Sequence, residues 1–145
     1  MGELKHNNLD QLAAQTAQNI IAETKGRAEN LITKALGVLQ ENGVYAFVLF
    51  LLSRTSDEKK MAEGIVVPQL AKLLSRPELV SLQVQYEGSI TFAGTKDRSA
   101  TTEFLKHVSD KVCADLDKLL LVKDLYEQTL IYARYGAKAA AKEDD

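Results

Sequence analysis

The sequence predicts a mainly α-helical protein, an antiparallel helical bundle with a small β-hairpin inserted between its N- and C-terminal helical halves. Two long stripes of apolar residues at helical spacing, one in each half of the chain, predict the bundle. One segment of alternating apolar and polar residues, at about residues 79–94, predicts the hairpin. The length of 145 residues fits a single domain, residues 1–145, that can bury a core without disulfides or metals.

The first stripe of apolar and small residues covers residues 9–39. Asn8 is a suitable N-cap, and Gln11 three residues later is its capping-box partner. Gly26 and Gly37 each weaken a helix by about 1 kcal/mol relative to alanine, which is too little to stop it. We therefore expect one long helix that can bend at a glycine.

The stretch Val44–Leu52 is apolar without interruption and follows Asn42-Gly43, a pair that favours a left-handed helix stop. It is too short for a membrane span, which needs roughly 20 apolar residues. A helix that is apolar on every side is typically packed by neighbours on every side. We expect a central core helix; the alternative is that part of its circumference packs against another subunit.

A third helix is predicted to begin at Thr55, whose capping-box partner is Glu58. This helix should break near Gly64, resume over residues 68–74 and end before Pro77, since proline and the residue before it disfavour helix. These signals complete the helical part of the N-terminal half.

The hairpin prediction rests on residues 82–86 and 89–93, in which apolar and polar residues alternate around the turn signal Glu87-Gly88. Gly94 closes the segment. An isolated hairpin is only marginally stable in water, so its apolar face should cover the helices or another subunit.

The C-terminal half carries the second apolar stripe, which runs from Phe104 through Leu116 to Ala137. Ser99 is the predicted cap, and neither glycine nor proline occurs between residues 100 and 135. We expect either one very long helix or two helices joined near Leu121.

The composition excludes a strong general attraction for nucleic acid or anionic membranes, because the net charge is −2 and the pI is about 5.7. The single cysteine, Cys113, cannot form an internal disulfide and suits a reducing cytoplasm. The N-terminal residues lack the apolar core of a signal peptide. We expect a cytoplasmic protein that does not bind membranes.

No catalytic constellation is evident in the sequence. His107 and Cys113 lie about 240° apart around a helix and cannot meet on one face. Glu103, His107 and Asp110 follow one another at helical spacing, but three such ligands without a second cluster are a weak metal signal. We therefore expect no enzymatic activity, no metal and no cofactor.

Basic residues give a more informative pattern near the C-terminus. Arg134, Lys138 and Lys142 form one positive stripe flanked by Tyr132 and Tyr135. Such cations can neutralise phosphates, and tyrosine rings can stack on unpaired bases. The alternative is that the helix dipole stabilises these lysines and that the tyrosines belong to the core.

Smaller basic patches occur earlier in the chain. Arg27 and Lys34 are seven residues apart and share a helix face, and further cations surround the loop after the apolar helix. Each patch is also compatible with ordinary solvated surface. The candidate nucleic-acid-binding residues are Arg27, Lys34, Arg54, Lys59, Lys60, Arg134, Lys138 and Lys142.

Residues 28–54 resemble a segment of the small helical subunit of CRISPR effector complexes, above all of the type III-B Cmr complex. That family carries an Asn-Gly junction, an apolar helix with a central Phe-Leu, and a small residue followed by a basic one. The corresponding residues here are Asn42-Gly43, Phe50-Leu51 and Ser53-Arg54.

The last helix, residues 125–142, resembles the family's final helix, in which aromatic and basic residues alternate with alanines, as in Tyr132-Ala-Arg-Tyr135. Between Leu79 and Gly94 the predicted hairpin departs from the Cmr small subunit, which is helical there. A β insertion between helical halves is more similar to the small subunit of type I-A Cascade.

The resemblance implies a non-catalytic scaffold subunit whose copies stack along a guide-RNA effector complex. Its partners would be the backbone and large subunits, copies of itself, and the guide RNA with the target or displaced strand, held through weak phosphate contacts without sequence specificity. Two other classes remain open: a self-associating helical adaptor with no nucleic-acid role, and a regulator that binds a small ligand between its helices.

Overall fold

The computed structural model describes residues 2–92 and 98–143, without the side chains of residues 2–8, 142 and 143. The described chain contains seven α-helices and no β-strand. The helices are α1 (Gly2–Thr24), α2 (Glu29–Asn42), α3 (Val44–Leu52), α4 (Ser56–Met61), α5 (Val67–Leu74), α6 (Ser99–Asp110) and α7 (Leu116–Glu143).

The two longest helices, α1 and α7, pack side by side and run in the same direction. Tyr132 of α7 bonds to Asp10 of α1, and farther along, Ala140 lies against Gly26, just after α1. After the turn at residues 25–28, α2 returns along α7 in the opposite direction and contacts it extensively. The predicted mainly helical bundle is therefore observed, with one parallel and one antiparallel packing against α7.

The turn between α1 and α2 replaces the single long helix that was predicted over residues 9–39. Gly26 and Lys25 both adopt positive φ, +70° and +56°, and the Gly26 N–H bonds to the Ile21 carbonyl. Glycine adopts this conformation without the steric cost of a Cβ, so Gly26 ends α1 rather than merely weakening it. The predicted N-cap at Asn8 is also wrong, because α1 begins at Gly2.

One face of helix α3 lies in the middle of the core. Phe47, Val48 and Leu51 are fully buried, and the Phe47 ring lies 5.7 Å from the Tyr126 ring of α7. Tyr45 and Leu49, one turn apart, keep 39% and 43% of their surface exposed. The apolar run is therefore a core helix on its inner face, but it is not covered on every side.

The helical segment after α3 does not break at Gly64 as predicted. It continues from α4 through a π-helical turn, Ala62–Val66, into α5. Pro68 has no N–H to donate to the Gly64 carbonyl, and its ring would collide with that carbonyl in a regular α-helix. The wider π turn absorbs this mismatch, so the segment stays helical.

The predicted β-hairpin at residues 79–94 is not formed in the described chain, and residues 93 and 94 lie outside the description. A 3₁₀ turn, Pro77–Leu82, is followed by residues 83–92, which form neither helix nor strand. The Tyr86 N–H bonds to the Leu74 carbonyl at the end of α5 instead. Val84, Tyr86 and Phe92 are buried against the helices, whereas Ile90 keeps 37% of its surface exposed, so the alternation in the sequence reports burial for only part of the segment and does not report strand pairing.

The last helical region divides at residues 111–115, not near Leu121. A 3₁₀ turn, Val112–Ala114, is followed by Asp115 in extended conformation. Its Oδ1 accepts the Lys118 N–H at 2.9 Å, which is the N-cap bond that begins α7. The break shifts the register of the predicted stripe, so Leu116 is 66% exposed instead of buried.

Candidate nucleic-acid interface

The first group of candidate cations lies where the α1–α2 turn meets the C-terminal part of α7. Lys138 Nζ is 3.9 Å from Glu29 Oε1 at the start of α2, and Arg27 is exposed in the turn. Arg134 is half-buried, and its Nε is buried without a hydrogen-bond partner within the described chain. The side chain of Lys142 lies outside the description. The structure thus brings Arg27 to the same end of the bundle as Lys138, although the two are distant in sequence.

The second group surrounds Glu58 at the start of α4. Lys34 Nζ is 2.7 Å from Glu58 Oε2, and Arg54 Nη1 is 3.8 Å from Oε1 of the same carboxylate. The Arg54 guanidinium also stacks 3.8 Å above the Phe50 ring, which fixes its position. Lys59 and Lys60 follow on α4 and are exposed.

Arg27 and Lys34 do not share a helix face as predicted, because Arg27 lies in the turn before α2. Helix α2 instead separates the two groups: Glu29 contacts the first, and Lys34 belongs to the second. The exposed residues of α2 between these contacts include Asn30 and Thr33, which are polar and uncharged. The cations therefore flank a neutral polar helix face.

Ion pairing leaves the candidate cations unequally available. Solvent-exposed ion pairs are weak, typically about 0–1 kcal/mol, so Lys138 and Lys34 can exchange their carboxylates for phosphates. Arg27, Lys59 and Lys60 have no ion-pair partner among the residues that the structure describes. These three are the cations most readily available to an anionic ligand.

The two tyrosines beside the C-terminal stripe differ in availability. The Tyr132 hydroxyl donates to Asp10 Oδ1 at 2.6 Å, and this bond raises the pKa of Tyr132. Tyr132 is thus engaged in the α1–α7 contact. Tyr135 is 66% exposed and offers a free ring for stacking or docking.

Glu103 and His107, two of the three residues in the weak metal signal of the sequence, hold residues 84–89 onto α6. Glu103 Oε1 accepts the Ser89 N–H at 2.9 Å and lies 3.1 Å from the Tyr86 hydroxyl. His107 Nε2 is 2.9 Å from the Val84 carbonyl, so this nitrogen must carry the proton. Sequence patterns did not reveal this role, because it depends on a segment distant in the chain.

Cys113 lies in the turn between α6 and α7. Desolvation raises the pKa of its thiol, which makes the nucleophilic thiolate less populated. Among the described residues, no three His, Cys, Asp or Glu side chains converge in a way that could hold a metal ion.

No protein-family model, no curated protein and no solved structure matches this chain. None of the helices described combines the length and apolarity that a membrane crossing requires.

Proposed function

We propose that this protein is a non-catalytic small subunit of a cytoplasmic CRISPR RNA-guided effector complex. Copies would stack along the complex, contact its backbone and large subunits, and hold the guide RNA with the target or displaced strand through phosphate contacts that read no sequence. The observation that carries the proposal is the gathering of the candidate cations into two groups, one around Glu29 at the start of α2 and one around Glu58 of α4, in which Arg27, Lys59 and Lys60 are exposed.

The segment that resembles the Cmr small subunit, residues 28–54, coincides with the α2–α3 unit that supplies much of the core. Its Asn-Gly junction holds Gly43 at φ +92°, a conformation that favours glycine. At the other end, Arg54 is held over Phe50 by stacking and by a 3.1 Å bond from Nε to the Phe50 carbonyl. The residues that carry the resemblance thus have definite structural roles, and the basic one is held at the surface.

The missing hairpin bears on the subtype. Only the predicted β insertion favoured similarity to the small subunit of type I-A Cascade. Residues 79–92 contain no strand, which removes the feature that favoured type I-A Cascade, but residues 83–92 are not helical either and therefore differ from the type III-B version as well.

The low net charge is compatible with this role. Each cation group is small, so one copy should bind single-stranded nucleic acid weakly. Several copies along one complex would multiply these weak contacts through effective concentration.

The affinity of the purified protein for single-stranded RNA at several salt concentrations tests the nucleic-acid role. Log affinity falls as log salt concentration rises. We expect this slope to become less steep by about 1.4 in the Lys59→Glu, Lys60→Glu variant, since each lost contact to a single strand contributes about 0.7. The matched control reverses Lys72 and Lys106, which are exposed on α5 and α6 outside both groups. Equal slopes in all three proteins would contradict the proposed contacts.

Affinity purification of the tagged chain from its source cells tests the assembly. Recovery with a guide RNA and other effector subunits is the expected result. Recovery without RNA would instead favour a self-associating helical adaptor, the second candidate, for which the exposed apolar side chains of α3 and α7 are the supporting observation.

A further inference from the structure

Glu58 of α4 is a single carboxylate shared by two cations from separate parts of the chain. Lys34 Nζ on α2 lies 2.7 Å from its Oε2, and Arg54 Nη1, after α3, lies 3.8 Å from its Oε1. The side chains of Lys34, Arg54 and Glu58 keep 52%, 25% and 29% of their surface exposed. Two cations thus converge on one anion at a position that solvent can reach.

The Arg54 guanidinium is held in place by contacts that do not involve Glu58. It stacks 3.8 Å above the Phe50 ring, its Nε donates to the Phe50 carbonyl at 3.1 Å, and its Nη2 donates to Ser53 Oγ at 3.2 Å. The 3.8 Å between Nη1 and Glu58 Oε1 is too long for a hydrogen bond. Arg54 can therefore keep its position when the carboxylate moves, and a fixed cation loses little freedom when it binds another anion.

A phosphodiester group resembles the Glu58 carboxylate in the features that these cations contact. Both groups present two oxygens that share one negative charge, and arginine and lysine bind both through charge-assisted hydrogen bonds. Solvent-exposed ion pairs are weak, so an anion held by several contacts can displace the carboxylate. The position of Glu58 is therefore one that a phosphate can take.

The charges around Glu58 favour a chain of phosphates over an isolated anion. Lys34 and residues 53–60 together contain four cations, Lys34, Arg54, Lys59 and Lys60, against two carboxylates, Asp57 and Glu58. Lys59 and Lys60 directly follow Glu58, are exposed and have no ion-pair partner in the part of the chain that the structure describes. They can hold neighbouring phosphates of a strand that has displaced Glu58.

We propose that Lys34 and Arg54 form a phosphate clamp for single-stranded nucleic acid, and that Glu58 occupies its anion position in the free protein. A phosphate enters the clamp as the Glu58 side chain rotates away, so Glu58 lowers the affinity of each single copy. Several copies that hold one strand together overcome this competition through effective concentration. The inference rests on the nucleic-acid role in the proposed function and names the residue that limits its affinity.

Fluorescence anisotropy with a labelled oligouridylate at low salt tests the clamp. Glu58→Gln keeps the size of the side chain and removes its charge, so the affinity should rise about threefold to tenfold as two cations become available. Two matched controls make the same change in net charge. Asp57→Asn alters the neighbouring exposed carboxylate, and Glu78→Gln releases Arg76 from a 3.2 Å ion pair outside both cation groups. Each control should change the affinity by less than about twofold.

A double-mutant cycle separates the clamp from an ion pair that only stabilises the fold. Lys34→Gln should lower the affinity more in the Glu58→Gln variant than in the wild type, because Glu58 competes for Lys34 only in the wild type. An ion pair with a purely structural role predicts equal effects of Lys34→Gln in both proteins and no gain in Glu58→Gln. Circular dichroism should show the same helix content in all variants.

The failures of the two proposals are distinguishable. Salt-dependent RNA binding that Lys59→Glu, Lys60→Glu weakens, without a gain in Glu58→Gln beyond that of Asp57→Asn, would overturn the clamp alone. No detectable binding by the wild type or by Glu58→Gln would overturn both the clamp and the nucleic-acid role. A gain in Glu58→Gln with the expected cycle, together with purification from cells without RNA or effector subunits, would keep the clamp and reject the effector assembly.

Discussion

At the scale of single residues, His107 of α6 is a titratable side chain that packs against the segment after Leu82. The ring is half-buried beside Tyr86, and Nε2–H donates to the Val84 carbonyl. Burial lowers the pKa of His107 below its ordinary value near 6.5, the carbonyl bond opposes this shift, and nearby Lys111 adds to it. The native ring therefore stays neutral at a pH at which the unfolded ring begins to take up a proton.

This difference predicts that the free energy of unfolding decreases as the pH is lowered. Because the unfolded chain binds the proton first, the contribution of His107 is complete above the ordinary pKa and decreases as the pH falls through and below it. In His107→Gln the amide can still donate to the Val84 carbonyl but does not titrate. We expect the free energy of unfolding to decline less in this variant between about pH 7.5 and about pH 5.5.

Urea unfolding at each pH measures both declines, and His6 is present in both proteins. Equal declines in the wild type and the variant would show that His107 does not titrate differently in the folded state.

At the scale of helices, Gly37 and Gly136 both lie in the interior of a helix but have different surroundings. Both lie inside helices, yet a Cβ at Gly37 would meet nothing within 4 Å, while one at Gly136 would collide with the Ile21 side chain of α1. Gly136 thus allows the close approach of α1 and α7, whereas Gly37 only weakens α2.

Alanine at these two positions should consequently change stability by different amounts. Gly37→Ala is expected to stabilise the protein by about 0.5–1 kcal/mol through helix propensity and a less flexible unfolded chain. Gly136→Ala gains the same helix propensity, but the end of the Ile21 side chain must rotate away from the new methyl group, so this variant should be less stable than Gly37→Ala by about 1–3 kcal/mol. Urea unfolding of both variants measures the difference, and equal stabilisation by the two substitutions would contradict the close α1–α7 contact.

Helix boundaries were predictable where a local signal decided them. Gly43 ends α2 and Ser53 follows α3 as the sequence indicated. The signal at Asp115 was present as well, since aspartate is a favoured N-cap, but the continuous apolar stripe outweighed it. The segment after Leu82 does not form the predicted hairpin, because burial of Val84 and Tyr86 against helices has the same alternating pattern as a strand.

At the scale of the whole molecule, α3 joins parts of the chain that are distant in sequence. It contacts α2, α5, α6 and α7, and Phe47 is fully buried against Tyr126. Phe47→Ala should lower the free energy of unfolding by about 3–5 kcal/mol through lost burial and a cavity. Leu49→Ala on the exposed side of the same helix is the control and should change it by only about 0.5 kcal/mol.

Thermal or urea unfolding measures both variants. Comparable losses at Phe47 and Leu49 would mean that the outer face of α3 is buried in solution as well, as expected if another subunit covers it.

By itself, the sequence determined that this protein is a mainly helical bundle and that residues 44–52 form a core helix. The spacing of apolar residues and the signals that end a helix depend on residues that are close in sequence, so both can be recognised from the sequence. Tertiary structure decided that the candidate cations form two groups, that Glu103 and His107 hold a distant segment, and that Leu116 and Leu120 remain exposed. These features depend on which helix faces meet, and that choice is made by long-range packing.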